Sequence, residues 1–324
     1  MIDWLKRLAA LCTVALATAC GGSDDDAPAP APGTIAAEAS ARGFTALVAA
    51  SEKAGLVPAL SAGTSSLTVF APTDAAFTSL ATTLGFASAT AMVTALDGPT
   101  LAKILQYHVL PTKKLAADLV AGGATQATLY TFEGAPATLS LSTTSGVKIT
   151  DEVLNQATVT TADVPASNGV IHVIDKVLVP PGVLNIVQMA KLNPTFSVLV
   201  EAVVAANLAT TLSGTGPFTV FAPTNDAFTA ALTELTLTKA QLLASPGLAG
   251  ILTYHVVAGN VRAANVVALP KPASVTTLQG TAFSVGTTLA ITDARARVAN
   301  LVATDVIASN GVIHVIDKVL LPAP

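Results

Sequence analysis

Along the chain, stretches with apolar residues at helical spacing alternate with short runs that are apolar throughout or rich in Thr and Val. Between Ile35 and Leu60 the spacing of Phe44, Leu47 and Val48 predicts helix, and Leu192–Leu212 does the same with Phe196, Leu199, Val200 and Val203. "LTVFAP" is a short apolar strand ended by Pro72, after which Thr73 is placed to cap a helix running through Phe77 and Leu80, as Thr224 is later. Thr73 and Asp74 could instead hold a ligand at a helix start; one residue after a strand-ending proline, they read as caps. Leu101, Ile104, Leu105 and His108 share one helix face, as do Leu248, Ile251, Leu252 and His255. Pro99 and Pro246 suit a first helical turn, with Ser245 the expected cap of the later helix. Runs such as "ATVTTADV" and "LVATDVI" lead into Asn168-Gly169 and Asn310-Gly311, which predicts that "GVIHVI" is the second strand of a hairpin.

These elements are one unit written twice. "TVFAPTDAAF" (Thr68–Phe77) returns as "TVFAPTNDAF" (Thr219–Phe228), "ILQYHVL" as "ILTYHVV", and "ASNGVIHVIDKVL" is identical at Ala166–Leu178 and Ala308–Leu320. The offset between copies drifts from 152 to 142 residues along the unit, so the blocks are fixed while the connections vary in length. Pro180-Pro181-Gly182 is a stiff, very short join, which predicts a preferred orientation between the units without revealing an interface. The expected division is a signal peptide at 1–19, a lipidated Cys20 and flexible linker at 20–34, one domain at 35–181 and a second at 182–324.

Charge and the N-terminus narrow the function. The 16 Lys and Arg against 20 Asp and Glu, with no basic run longer than Lys113-Lys114, exclude a nucleic-acid partner. Lys6 and Arg7 precede the uncharged run Leu8–Ala19, too short to span a bilayer but suited to a secretory signal. Ala17-Thr18-Ala19-Cys20-Gly21 resembles a bacterial lipoprotein cleavage box with Cys20 as the lipidated residue, although the usual Leu stands one place early. The alternative is a chance cysteine beside an ordinary cleavage site. Gly21–Thr34 then forms an extended tether, and Gly21 after the cysteine suits an outer-membrane destination, periplasmic or at the cell surface.

Taken in order, and in both copies, the TVFAPT block, the Tyr-His helix and the NGVIHVIDKVL strand resemble two tandem fasciclin domains. The resemblance implies an α+β fold: two β-wedge domains with helices packed around one end, in secreted or surface-attached proteins of adhesion and matrix, with no cofactor and no catalytic residue. Partner binding in animal members implies candidate residues here: Tyr107, His108, Asp163 and Val164 in the first unit, and Tyr254, His255, Asp305 and Val306 in the second. Valine replaces the isoleucine that follows the aspartate in those members.

The histidines pose the remaining chemical question. Zinc needs three or four ligands, and each unit offers two histidines and no cysteine. His172 shares a strand face with Val170 and Ile174, while Asp175 points the other way and cannot orient the imidazole without a bulge. A packed histidine bonded to backbone is therefore expected, with no metal and no catalysis. No Gly-x-Ser-x-Gly, His-Glu-x-x-His, Cys-x-x-Cys or phosphate-binding glycine loop occurs. The reading is a non-enzymatic adhesion or matrix-binding lipoprotein, attached to the membrane through Cys20 and meeting a surface protein or glycan of unknown identity. The alternatives are a carrier of a small apolar ligand, with a pocket between wedge and helices, and an enzyme acting on polymer.

Overall fold

The computed structural model describes residues 31–142, 146–268 and 270–324. The expected signal segment, Cys20 and the linker up to residue 30 lie outside the described residues. In the first unit the elements are α1 (Ile35–Ala41), α2 (Thr45–Lys53), α3 (Val57–Ser61), β1 (Leu67–Pro72), α4 (Asp74–Leu84), α5 (Ala89–Ala95), α6 (Gly98–Tyr107), β2 (Val109–Leu110), α7 (Ala116–Ala121), β3 (Thr125–Phe132), β4 (Ala135–Ser142), β5 (Lys148–Thr150), β6 (Gln156–Ala166) and β7 (Gly169–Ile174). The second unit repeats the plan with α8 (Ile186–Leu192), α9 (Ser197–Ala205), α10 (Ala209–Leu212), β8 (Phe218–Pro223), α11 (Asn225–Glu234), α12 (Lys239–Leu243), α13 (Leu248–Tyr254), β9 (Val256–Ala258), α14 (Ala263–Val267), β10 (Ala273–Thr276), β11 (Ala282–Val285), β12 (Ile291–Thr292), β13 (Val298–Ala299), β14 (Leu301–Ala308) and β15 (Gly311–Ile316).

Several local expectations are corrected by a turn or a residue. The helical stretch before the first strand breaks into three helices, with Gly43 and Gly55 at positive φ in the breaks. Ser245 does not cap α13: the helix begins at Leu248 after Gly247, and the Ser245 hydroxyl accepts from the Gly247 N–H at 3.3 Å instead. The two-residue hairpin turns are Ser167-Asn168 and Ser309-Asn310, because Ala166 pairs with Gly169 and Ala308 with Gly311. Each glycine opens a strand pressed against a neighbouring chain: a Cβ on Gly169 would overlap the Leu67 carbonyl, and one on Gly311 the Phe218 carbonyl.

β7 and β15 are central rather than closing strands. β7 runs antiparallel to β6 and parallel to β1, and β15 stands in the same relation to β14 and β8. With apolar layers on both faces, "GVIHVI" is buried at every position in both copies. On one face Val69, Ala71, Ile171 and Val173 meet the helices; on the other, Phe70 and Ile174 meet Tyr107, Leu139 and Ile149 from the outer strands and α6. In the first unit the strands form one sheet in the order β2-β1-β7-β6-β5-β4-β3. In the second, β14-β15-β8-β9 and β10-β11-β12-β13 are separate four-stranded sheets. One residue, Asn300, separates β13 from β14; Asp317 accepts from its N–H (2.7 Å), as Asp175 accepts from the Thr158 N–H (2.6 Å) at the equivalent place in the continuous β6.

The join between the units carries an interface that the sequence left open. Val153 and Val179 sit in the helix-side core of the second unit. Asn193 donates to the Val153 carbonyl at 2.9 Å, Glu152 accepts from the Ile307 N–H at 2.7 Å, and Gly182 donates to the Ile307 carbonyl at 3.0 Å. Arg262 closes the rim with a two-pronged pair to Glu133, at 2.8 and 2.5 Å.

Candidate functional site

Helix starts and turns fix the surroundings of the candidate residues. Thr73 accepts from Ala76 N–H and Thr224 from Ala227 N–H, both at 3.2 Å, the capping geometry expected of them. Asp74 does more than open its own helix: its carboxylate accepts from the Ala46 N–H at 2.9 Å and from the Thr45 hydroxyl, tying α2 to α4. Asn225 accepts from the Val198 N–H at 3.0 Å and does the same in the second unit. Asn168 and Asn310 are buried knots. Asn168 accepts from Ile35 N–H (2.8 Å) and donates to Leu60 O (2.9 Å) and Ala62 O (3.2 Å), while Asn310 bonds Ile186, Leu212 and Gly214 equivalently.

Of the eight candidate partner-binding residues, six are buried: Tyr107, His108, Val164, Tyr254, His255 and Val306. Tyr107 and Tyr254 lie off the apolar stripe of their helices yet are buried, because each helix is sandwiched between two cores; their hydroxyls donate to Thr138 O (3.0 Å) and Ala282 O (3.1 Å). Asp163 is exposed and Asp305 half-buried. Both aspartates sit at positive φ, +59° and +57°, where β6 and β14 bulge, and each carboxylate caps a short helix: Asp163 accepts from Ala116 N–H at 2.8 Å and Asp305 from Ala263 N–H at 2.9 Å. Those helices and their flanks carry the exposed apolar side chains Leu115 and Val120 in the first unit and Val267 in the second, and Val302 stands on β14 beside Asp305.

All four imidazoles have both nitrogens engaged. His108 donates from Nδ1 to Ile104 O at 2.8 Å and accepts at Nε2 from Leu178 N–H at 2.9 Å; His255 does the same with Ile251 O and Leu320 N–H. Burial lowers the pKa of both to about 4, so at neutral pH they carry no charge. His172 and His314 hold the opposite tautomer, donating from Nε2 to Lys114 O (2.9 Å) and Val261 O (2.8 Å). Their Nδ1 atoms accept from the N–H of Asp163 (3.2 Å) and Asp305 (3.3 Å). Sequence reasoning set Asp175 aside as the carboxylate near His172. The β6 bulge instead brings Asp163 to 3.9 Å from Nδ1, but the ring is held by its backbone N–H. No lone pair is left over for a metal or for proton transfer.

Two neighbouring carboxylates outside the candidate set are also buried or bonded, Asp151 within the first unit and Glu152 across the join. Asp151 is buried and accepts from the N–H groups of Asn155 (2.9 Å) and Val179 (3.0 Å); burial raises its carboxyl pKa to about 7 despite these donors. Burial also raises Glu152 to about 7, against the opposing effect of its bond from Ile307 and of Arg262. Asp151 lies in a repeated Ile-Thr-Asp, and Asp293 accepts from the Arg297 and Leu321 N–H groups at the equivalent place in the second unit; Glu152 has no such match, and its contact with Ile307 lies 155 residues away.

Compared with known proteins, the chain matches the Fasciclin domain family at residues 42–180 and 194–322. It is 49% identical to protein sll1483 of Synechocystis sp. over 142 residues, which is 43% of this chain and 74% of that protein. It is 32% identical to transforming growth factor-beta-induced protein ig-h3 of Sus scrofa over 269 residues, 80% of this chain but 35% of that protein. A solved FAS1 domain pair from the insect cell adhesion molecule fasciclin I covers 88% of this chain and 98% of its own at 20% identity, with a TM-score of 0.44.

Proposed function

The chain belongs to the fasciclin domain family, and from that premise we propose that it is a non-enzymatic adhesion or matrix-binding protein of the cell envelope. In this reading it is exported, held at the outer membrane by a lipid on Cys20, and meets a surface protein or glycan through both domains. The observation that carries the reading is the repeated surface at the bulges. In each domain an aspartate on a bulge caps a short helix that carries an exposed valine, Val120 on α7 and Val267 on α14, with exposed Leu115 at the start of α7 and exposed Val302 on β14. Exposed apolar side chains rimmed by a carboxylate suit a partner with an apolar face and a hydrogen-bond donor.

Two such surfaces on one body gain avidity when their spacing is fixed, and the bonds of Glu152, Asn193 and Arg262 across the join favour that fixity. The imidazoles, spent on backbone bonds, support a binding role over catalysis. The test is surface attachment of a host strain lacking the gene, complemented with wild type, with Cys20→Ser, or with Val120→Asp plus Val267→Asp. Attachment should fall on deletion, return fully only with wild type, stay lost with Cys20→Ser, and return at most partially with the surface variant. Unchanged attachment in the deletion strain would contradict the proposal.

A further inference from the structure

The two domains differ in the space they leave between the first helices and the sheet. In the first domain a cavity of about 230 Å³ opens between α1, α2, α3 and β1, with Ile35, Leu47, Leu56, Leu60 and Val69 among its walls and His108 at its floor. The corresponding place in the second domain, walled by Ile186, Leu199, Leu212, Val220 and His255, leaves about 30 Å³. The helices and strands around the two spaces correspond, and two side-chain exchanges among them narrow the second. Ala36 of α1 stands where α8 has Val187, and Ser51 of α2 where α9 has Val203; all four line the two spaces. Each exchange replaces a small side chain by a β-branched one that fills volume.

We propose that the first domain binds one small, neutral, largely hydrocarbon molecule in this cavity, and that the second domain, closed by Val187 and Val203, does not. The size follows from comparison with an apolar cavity of about 150 Å³, which stays dry and takes benzene. A cavity of 230 Å³ suits a molecule on the order of ten carbons. The chemistry follows from the lining. Of the buried polar residues among the walls, His108 has both nitrogens engaged with Ile104 and Leu178, and Ser51 adds one hydroxyl to an otherwise apolar lining. One hydroxyl falls short of the two to four polar partners a buried water needs, and it offers a charged ligand end no compensation for desolvation. Exposed Glu52 and Ser40 stand at the mouth. The carboxylate repels an anionic head group, so a fatty acid is disfavoured, whereas an alcohol or a plain hydrocarbon is accepted. The site lies on the helix side of the domain and is separate from the bulges that carry the adhesion proposal, so either can fail without the other.

The experiment uses the folded two-domain chain and two probes of equal length, 1-decanol and decanoate, titrated at pH 8 by calorimetry with methyl NMR of Ile35, Leu47 and Val69. Wild type should bind one 1-decanol per chain with shifts confined to these walls, and bind decanoate at least tenfold more weakly. Ala36→Val plus Ser51→Val should lose at least tenfold in affinity for 1-decanol; Ser51→Val alone, a smaller change, serves should the pair not fold. The reciprocal change, Val187→Ala plus Val203→Ser, should raise the stoichiometry to two. The proposal is overturned if wild type shows no saturable binding of 1-decanol, or if the filled variant binds it as tightly as wild type.

Discussion

The two domains spell the same scaffold and spend it differently. In both, a central strand with an inward histidine is pinned by a glycine, an asparagine knot and a bulge that delivers a backbone N–H to the ring. Around that common frame the first domain keeps an open apolar cavity, while the second fills the same place with valines. The residues spelled identically are thus the ones that hold the backbone, whereas the differences in ligand space come from positions that vary, such as Ala36 against Val187. Repetition in this sequence marks architecture, and divergence between the copies marks where the domains can do different things.

The largest effect should come from adding one carbon to the shared frame. Gly169→Ala and Gly311→Ala each place a methyl group into a neighbouring carbonyl and should cost more than about 4 kcal/mol, seen as loss of folded protein on expression or a collapsed denaturation midpoint. Tolerance of either change would mean that the close strand approach is not required in that copy.

Next comes a difference in pH response. Asp151 has a folded pKa of about 7, above its unfolded value, so its contribution is fully present below about pH 4 and is lost as pH rises through 7, by roughly 4 kcal/mol at most. His108 and His255, with folded pKa values near 4, act in the opposite sense: their contribution is present above about pH 6.5 and lost as pH falls through 4. The two groups in the first domain therefore oppose each other between pH 4 and 6.5. Asp151→Asn should unmask the histidine, so that stability by urea titration climbs with pH across that range more steeply than in wild type. An unchanged slope would remove Asp151 from the account.

Asn168→Ala and Asn310→Ala should cost about 2 to 3 kcal/mol each, and by similar amounts, since each strands one N–H and two carbonyls in equivalent places. A large inequality would show that the knots are not equivalent. The smallest effect belongs to Arg262→Ala. Its partner Glu133 is exposed, so unfolding midpoints should barely move. Distances between spin labels on the two domains should nevertheless broaden as the rim of the interface loosens.

Much of this frame was legible in the sequence because it rests on short-range rules. Thr73 and Thr224 read as caps from the strand-ending prolines before them, and the stripe ending in His108 read as buried from its spacing. Tyr107 did not, since periodicity describes one apolar face and α6 has cores on two sides. The hairpin turn slipped by one residue because the sequence cannot tell a glycine needed for a turn from one needed for a close strand contact. Asp74 as the cap of α2, and Glu152 as the acceptor from Ile307, depend on contacts 28 and 155 residues away. The candidate residues came from the fasciclin resemblance, which named a tyrosine, a histidine, an aspartate and a valine in each copy, and packing buries all of them but Asp163, which is exposed, and Asp305, which is half-buried.

The central claim is that the repeated histidines hold the fold through backbone bonds and ligate no metal. Long-range ¹H–¹⁵N NMR of the four imidazoles, with and without added zinc, tests it directly. The account predicts two rings protonated at Nδ1, His108 and His255, and two at Nε2, His172 and His314, with no stoichiometric change on adding the metal. A zinc-dependent shift of both rings in one domain, or His108 and His255 titrating near pH 6.5, would contradict it.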